Sequence, residues 1–347
     1  MKIITDTKNS SLTFSSAWTA DCSHGGLASL GASHLPRVSG HNFCPLCGEC
    51  SDNVWLRTPD RFNLRTKVYC LLKCPSCSLV WLKDPPKPDS MAIHYGKKYH
   101  SEIITSGENG ASRRWREHIT TLRRFKAPGQ ILDIGCSSGA FLNVIKNDGW
   151  QLYGIEIDPE IAGDARSRTG ALVVSGDALS AFFPAGTFDA VTCFHALEHQ
   201  HHPVELMTKV MSWLKPGGIF YVVVPNIKSW EARLFRSYWY GLEIPRHIFH
   251  FSSESLRLCG IKSGFQLEEM WTRSDCHIEA SIQYVLNELR DQFHRQKISI
   301  ADTHTPDLVR KIVRKGLRIT VLAPFSHLAA MTGHGASISA VFKKSIT

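Results

Sequence analysis

The 347-residue chain contains no run of 18 apolar residues, which excludes a bilayer-spanning helix. Residues 1–43 lack the apolar stretch of roughly 7–15 residues that a secretory signal needs; they are polar and rich in Ser, His and Gly. They read as a mobile leader, and the cytoplasm is the expected compartment. Acidic residues are in deficit, 31 Asp+Glu against 40 Lys+Arg, for a net charge of +9. Residues 281–347 hold ten of the basic and four of the acidic side chains, so +6 of that charge lies in the tail. The rest of the chain is not a basic surface, and the high overall charge is poor evidence for nucleic acid. The 11 cysteines, in a reducing compartment, point to metal ligation or incidental use rather than to disulfides.

Also missing is the dinucleotide fingerprint G-x-G-x-x-G. Residues 131–142 read Ile-Leu-Asp-Ile-Gly-Cys-Ser-Ser-Gly-Ala-Phe-Leu: an apolar run ending at an acid, a glycine turn, then the start of a helix. Open α/β sheets form nucleoside sites at such strand ends. Here the spacing is Gly135-x-x-x-Gly139, with Ser137 where a glycine would let a pyrophosphate approach. Asp133 instead suits a ligand carrying positive charge. A second predicted strand, 152–158, contains Glu156, 23 residues after Asp133, from where a carboxylate can accept hydrogen bonds from ribose hydroxyls. Further strands are expected at 171–175, followed by Gly176-Asp177-Ala178, and at 188–194, 218–225, 266–272 and 336–343. Strands alternating with helical stretches predict an α/β fold with a Rossmann-like, doubly wound parallel sheet of seven strands.

Ahead of this lie Cys44-Pro-Leu-Cys47-Gly and Cys74-Pro-Ser-Cys77-Ser, separated by 26 residues. Each C-x-x-C can close on one metal ion, and the two together predict a tetrahedral structural zinc held by Cys44, Cys47, Cys74 and Cys77. Four thiolates leave no open position for water, so this zinc would hold a ribbon together rather than catalyse. Cys47-x-x-Cys50 is an alternative knuckle. Residues 54–56 and 67–72 read as short hairpin strands.

Taken in order, the five segments from Asp133 to the 218–225 strand closely resemble the class I S-adenosylmethionine-dependent methyltransferases, over roughly residues 95–275 plus the strand near 336–343. The resemblance implies S-adenosylmethionine as cofactor. It places Asp133, Gly135 and Gly139 along the methionine part, with Cys136 in the turn contributing backbone, Glu156 on the ribose, Ile157 and Ala178 against the adenine, and Asp177 on its amino group. The cysteine knuckles followed by 81–86, Tyr95 and Tyr99 resemble a bacterial subgroup acting on sugars and related small molecules. In that subgroup the ribbon and the tyrosine-bearing segment cover the substrate; packing of these tyrosines against the main domain is the alternative. The expected organisation is a leader (1–43), a zinc ribbon (44–84), a methyltransferase domain (85–275), a helical insertion (276–335) and a final strand of the sheet (336–347).

After the fourth strand comes His195-Ala-Leu-Glu198-His199. Methyl transfer from a sulfonium leaves a neutral thioether, so the protein has to align the reactants and remove a proton from the nucleophile. The resemblance makes His199 the candidate base, with Glu198 orienting it or holding a substrate hydroxyl; a capping role is the alternative. The same residues fit H-x-x-E-H, a zinc-peptidase pattern that needs one helix, whereas here the segment leaves a strand. Relatives that bind a divalent ion use Glu-x-x-Glu-His, and this chain has His195 at the first position. The segment also lacks the Asn/Asp-Pro-Pro-aromatic run of base-amino methyltransferases, which disfavours nucleic acid as acceptor. Trp239, Arg246 and His247 fall in a loop the family uses for its acceptor: Arg246 suits a phosphate or carboxylate, and Trp239 a sugar or ring, with a loop closed by its own aromatics as the alternative.

In the tail, 307–320 places Arg310, Arg314 and Arg318 on one helical stripe, beside Lys311 and Lys315, opposite Leu308, Val309, Ile312, Val313 and Leu317. Residues 307–331 therefore suit either a packed helix with a solvated basic face or peripheral contact with an anionic membrane near a lipid-linked acceptor. The leading expectation is methylation of a sugar or similar small molecule. An isoprenoid-lipid or quinone O-methyltransferase is the second, and a non-enzymatic ribbon-based binding module the third.

Overall fold

The structure is a computed structural model and describes residues 42–62, 67–95, 111–274, 278–295 and 318–346. The leader through residue 41, Tyr99 and the basic stripe over 307–317 lie outside the described residues. Seven strands form one sheet: β4 (Gln130–Ile134), β5 (Gln151–Glu156), β6 (Leu172–Ser175), β7 (Phe188–Phe194), β8 (Leu214–Pro225), β10 (Gln266–Arg273) and β11 (Ser337–Lys343). Their order is β10-β11-β8-β7-β4-β5-β6. The sheet is mixed rather than wholly parallel, because β11 runs antiparallel to both of its neighbours. β4 is flanked by β5 and β7, both parallel to it, so the acidic ends of β4 and β5 open on the same edge of the sheet.

Alternation along the strands assigns two cores. On β8, Phe220, Val222 and Val224 enter one apolar cluster, while Ile219, Tyr221 and Val223 enter the other. The same split separates Leu132 and Ile134 from Ile131 on β4. A strand buried on both faces reads as an unbroken apolar run, as the central strands here do. The first face is covered by Leu206, Met207 and Val210 of one helix (Pro203–Trp213) and by Leu256 and Cys259 of another (Ser253–Lys262). In the first of these, spacings of three and four residues line up one stripe against the sheet. The second face is covered by three helices, Ala111–Phe125, Ala140–Ile145 and Pro159–Thr169, through Leu122, Phe141, Ile145, Ala162 and Ala165. Each fully buried Phe or Leu contributes about 1.5–3 kcal/mol. The Pro159–Thr169 helix starts sharply because the Asp158 carboxylate accepts from the amides of Glu160 (2.9 Å) and Ile161 (3.1 Å).

A second, four-stranded antiparallel sheet has the order β1-β2-β3-β9, with β1 at Val54–Pro59, β2 at Val68–Lys73, β3 at Val80–Leu82 and β9 at Phe249–His250. The first two strands are the hairpin expected from sequence. β9 belongs to the segment after β8, and it pairs Phe249 with Trp81 and His250 with Val80. Leu72, Leu79 and Trp81 of the ribbon lie in the same apolar cluster as Ile248, Phe249 and Phe251. The ribbon is therefore built onto the loop that follows β8. Among the described residues no helix is long and apolar enough to cross a membrane.

Close backbone approach fixes the junction of β10 and β11. A Cβ on Gly335 would sit 2.2 Å from the Arg273 carbonyl oxygen and 2.9 Å from that residue's backbone N and C. Gly335→Ala is expected to lower the unfolding free energy by about 1–3 kcal/mol, read from urea midpoints at constant m-value. An unchanged midpoint would show that the strands can part there without cost.

Candidate active site at the carboxyl end of the sheet

β4 delivers Asp133 3% exposed, its Oδ1 accepting from the Thr192 hydroxyl of β7 at 2.7 Å. Burial pushes its pKa up to about 7; the Thr192 bond opposes this and the Glu156 charge adds to it. The turn that follows holds three residues at positive φ, Gly135 (71°), Ser137 (48°) and Gly139 (76°). A Cβ at Gly135 would meet Ala196 Cβ at 2.7 Å, and one at Gly139 would meet Thr169 Cγ2 at 2.7 Å. Both positions thus need glycine for conformation and for space. Cys136 is buried, with its sulfur where a Cβ on Gly154 would be, 2.7 Å away.

At the end of β5, Glu156 receives the Ser137 amide (2.9 Å) and the Asp158 amide (3.1 Å). Its carboxylate thereby locks the β4 turn to the next strand. Ile157, beside it, is 69% exposed. After β6, Asp177 is exposed and Ala178 buried, in a turn closed by the Ser180 amide on the Asp177 carbonyl at 3.0 Å. Asp133, Gly135, Gly139, Glu156, Ile157, Asp177 and Ala178 therefore sit at the ends of three adjacent strands, β4, β5 and β6.

The end of β7 carries a different chemistry. His195 adopts φ 54°, and Leu197–His199 form a single 3-10 turn. That turn is not the helix a zinc-peptidase pattern requires. Glu198 is fully buried, and among the described residues neither carboxylate oxygen has a hydrogen-bond partner. Its Oε1 lies 3.5 Å from His195 Nδ1 and 3.9 Å from His247 Nε2. The Ile248 amide donates to the Glu198 carbonyl at 2.9 Å, tying the loop before β9 to this turn. His199 Nδ1 is 2.9 Å from the Tyr95 hydroxyl, and its ring meets His247 edge-on at 4.6 Å. Burial, reinforced by positive charge at His247, pushes the His199 pKa down to about 4. For Glu198 burial works against ionisation, but His195, His247 and His199 outweigh it and hold the group below the usual carboxylate range.

The loop before β9 contributes a group the sequence reading did not single out. Glu243, at φ 38°, places Oε2 3.2 Å from His247 Nε2 and 3.5 Å from Arg246 Nε. Its spacing to His247, four residues on, was the available signal. Arg246 is 0% exposed, with its Cζ 4.2 Å from the Phe62 ring centre and Nη1 donating to the His94 carbonyl at 3.3 Å. Trp239 is 2% exposed, packed among Ile227, Leu242 and Ile244 beneath the ribbon strands. The structure thus brings together Tyr95, Glu198, His199 and His247, with Arg246 behind them, and keeps Trp239 in the core.

At the ribbon, Cys44 and Cys77 sulfurs are 3.5 Å apart, and those of Cys47 and Cys74 are 3.4 Å apart. One sulfur from each of the four lies within 4.8 Å of the others. Each knuckle turns through a positive φ after its second cysteine, at Gly48 (80°) and Ser78 (61°). This donor set fits a tetrahedral zinc. Cys50 is not part of the cluster and is disulfide-bonded, a departure from the expectation that all the thiols are reduced.

Compared with known proteins, residues 108–270 match the family described as "Methyltransferase domain". The chain carries a class I methyltransferase domain. It is 34% identical to a ubiquinone biosynthesis O-methyltransferase from Xanthomonas campestris over 111 residues, 30% of this chain and 46% of the relative. It is 33% identical to the Burkholderia multivorans protein of the same name over 125 residues, 34% of this chain and 54% of the relative. The chain thus spans about half the length of these curated relatives. Among solved structures, an S-adenosylmethionine-dependent methyltransferase from Thermotoga maritima aligns at TM-score 0.49 and 16% identity, over 74% of this chain and 100% of that one. One from Archaeoglobus fulgidus aligns at TM-score 0.45 and 20% identity, over 67% and 92%.

The methyltransferase domain contains every strand-end residue described above, whereas Tyr95 and the cysteine cluster precede the matched segment. Asp133 gives it a pH signature. With a folded pKa near 7 against about 3.9 when unfolded, the native state holds a proton there that the unfolded state has released. That contribution to stability is complete below about pH 4 and is lost as the pH rises through 7. Asp133→Asn should therefore flatten the decline in urea stability between about pH 5 and 8, and a decline as steep as in the parent protein would show that Asp133 ionises normally.

Proposed function

We propose that the protein transfers a methyl group from S-adenosylmethionine to a sugar or similar small-molecule acceptor, at oxygen or carbon. The observation that carries this is the pairing, on one edge of the sheet, of acidic ends on β4 and β5 with a buried Glu198 and a half-buried His199 at the end of β7. S-adenosylmethionine supplies a methyl carbon on a sulfonium whose departure leaves a neutral thioether. Asp133, Gly135 and Gly139 would hold its methionine part, the glycines leaving room for a close backbone approach and Asp133 matching its positive charge; Cys136 would contribute backbone. Glu156 would accept from the ribose hydroxyls, Asp177 would take the adenine amino group, and Ile157 and Ala178 would flank the ring.

On the acceptor side, His199 would take the proton of the nucleophile. Neutral at rest, with Tyr95 on Nδ1, it has Nε2 left for that task, and the Glu198 carboxylate behind it would stabilise the imidazolium formed. Arg246 is buried against Glu243 and the His94 carbonyl, so it would hold the loop of His247 rather than meet an anionic group of the acceptor. A quinone or isoprenoid-lipid acceptor is the second reading, favoured by the ubiquinone-pathway relatives and by the basic sequence over 307–318 as a peripheral membrane contact. The cysteine cluster would bind zinc in a closed structural site.

Incubation with methyl-labelled S-adenosylmethionine and a source-cell extract tests this. Label is expected in the aqueous small-molecule fraction, label in the lipid fraction would favour the quinone reading, and label confined to RNA or protein would overturn both. Glu156→Ala should weaken cofactor binding at least about tenfold, roughly 1.4 kcal/mol, by calorimetry; an unchanged affinity would remove Glu156 from the cofactor site. Elemental analysis should find about one zinc per chain, lost in Cys44→Ser. Metal-free parent protein would leave the ribbon to its apolar core alone.

A further inference from the structure

His247 has an acceptor against each ring nitrogen. Nδ1 is 2.9 Å from the Gly241 carbonyl oxygen, which can only accept, so Nδ1 carries a proton. Nε2 faces two carboxylates, Glu243 at 3.2 Å and Glu198 at 3.9 Å. A neutral ring would then turn a lone pair toward two negative groups in a site nearly closed to water. A ring protonated on both nitrogens turns a donor toward them.

We propose that His247 is a positioning residue: an imidazolium shared between Glu243 and Glu198, which keeps the Glu198 carboxylate charged behind His199 and keeps His199 neutral until it receives a proton. The proposal rests on the methyl-transfer reading for its use, but its chemistry is a property of the resting protein. Glu243 and Arg246, from the loop of His247 itself, supply one negative and one positive charge. Glu198 and His199 face it from the turn after β7, with His195 beyond them on Glu198 and Tyr95 on His199, and His250 faces it from β9, its ring 6.2 Å away. His250 gives its Nε2 to the Leu242 carbonyl at 3.0 Å, and burial followed by the His247 charge holds it well below the usual histidine range, at about 3. The two carboxylates are thus matched by His247 and Arg246, and the pocket carries no net charge around His199. When His199 takes a proton, the charged Glu198 behind it is already in place, and no group has to reorganise.

The site also meets the bare distance requirement for a cation, since one ligand atom each from Glu198, His199 and His247 lies within 4.8 Å of the others. A cation there would need His247 Nε2 unprotonated, which makes the two states distinguishable by a single proton. Ring nitrogen–proton correlation spectra of full-length protein carrying 15N-histidine, recorded from about pH 5.5 to 8.5, read that proton directly, with His247→Gln and His199→Gln variants assigning the signals.

His247 is expected to remain protonated on both nitrogens beyond pH 7 while His199 is neutral throughout. In Glu243→Gln the His247 midpoint should fall by about one unit or more, a tenfold loss of proton affinity, and Glu243→Asp should restore it. In His247→Gln the His199 midpoint, which lies below this pH range in the parent protein, should rise toward it, because a neighbouring positive charge is gone. A purely structural role for Glu243 would disturb many signals without moving this midpoint selectively, and that result would overturn the proposal. So would a neutral His247 at pH 7, or an unprotonated Nε2 whose signal shifts on adding a chelator, which would identify a bound cation. If Glu243→Gln fails to fold, the parent spectrum still decides the charge of His247. Methyl transfer without a charged His247 would sink this inference alone, and a charged His247 without methyl transfer to any fraction would sink only the functional reading.

Discussion

The site depends on burying carboxylates at one end of a sheet. Asp133, Glu156 and Glu198 are each less than 9% exposed, and the Glu243 side chain is 10% exposed. An unpaired carboxylate so placed costs several kcal/mol, and the fold meets that cost in three ways. Asp133 keeps its proton near neutrality. Glu156 accepts two backbone amides, which need no counter-charge. Glu198 and Glu243 share an imidazole and a guanidinium. The first leaves at the end of β4 a carboxyl that a cationic ligand would help to ionise, the second leaves a charged carboxylate at the end of β5, and the third lies at the end of β7 and cancels its own charge. Two neighbouring regions of the sheet edge thus differ in charge, one able to carry net negative charge and the other neutral.

The ribbon takes part in this through β9. By pairing Phe249 and His250 with Trp81 and Val80, it fixes the loop that carries Glu243, Arg246 and His247. Its downstream segment supplies Tyr95 to His199, and Arg246 donates to the His94 carbonyl one residue earlier. The cysteine cluster lies in the same apolar cluster as Trp81 and Phe249. Anything that stiffens the knuckles therefore stiffens the loop that carries Glu243, Arg246 and His247.

The turn and acidic ends of β4 and β5 were legible in sequence because their signals are local. An apolar run, an acid and two glycines four residues apart define a strand, a turn and a helix within a dozen positions, and Glu156 follows on the next strand. The seven strands could be placed for the same reason, although the reversal of β11 depends on where the chain returns after its insertion and has no local signature. The cluster at the end of β7 was only partly legible. Glu198 and His199 stood out as a pair, but the partner of His199 is 104 residues away in sequence. Glu243 was missed because its role exists only once the loop folds back onto the β7 end. Trp239 illustrates the reverse: an aromatic suited to stacking on a ligand is instead the lid of a small core beneath the ribbon.

The low pKa of His199 bears on whether it suits proton transfer. A histidine at about 4 is a weak base when judged alone. Its weakness has two sources, burial and the positive charges at His247 and Arg246, and both persist through a reaction. S-adenosylmethionine, when bound, would add a sulfonium charge to the site that methyl transfer converts to a neutral thioether, so His199 would take its proton as that added charge is lost. The proton affinity of His199 would then be lowest in the cofactor complex and rise along the proposed reaction. A base tuned this way does not trap a proton from water at neutral pH, and it needs the charged Glu198 behind it from the outset.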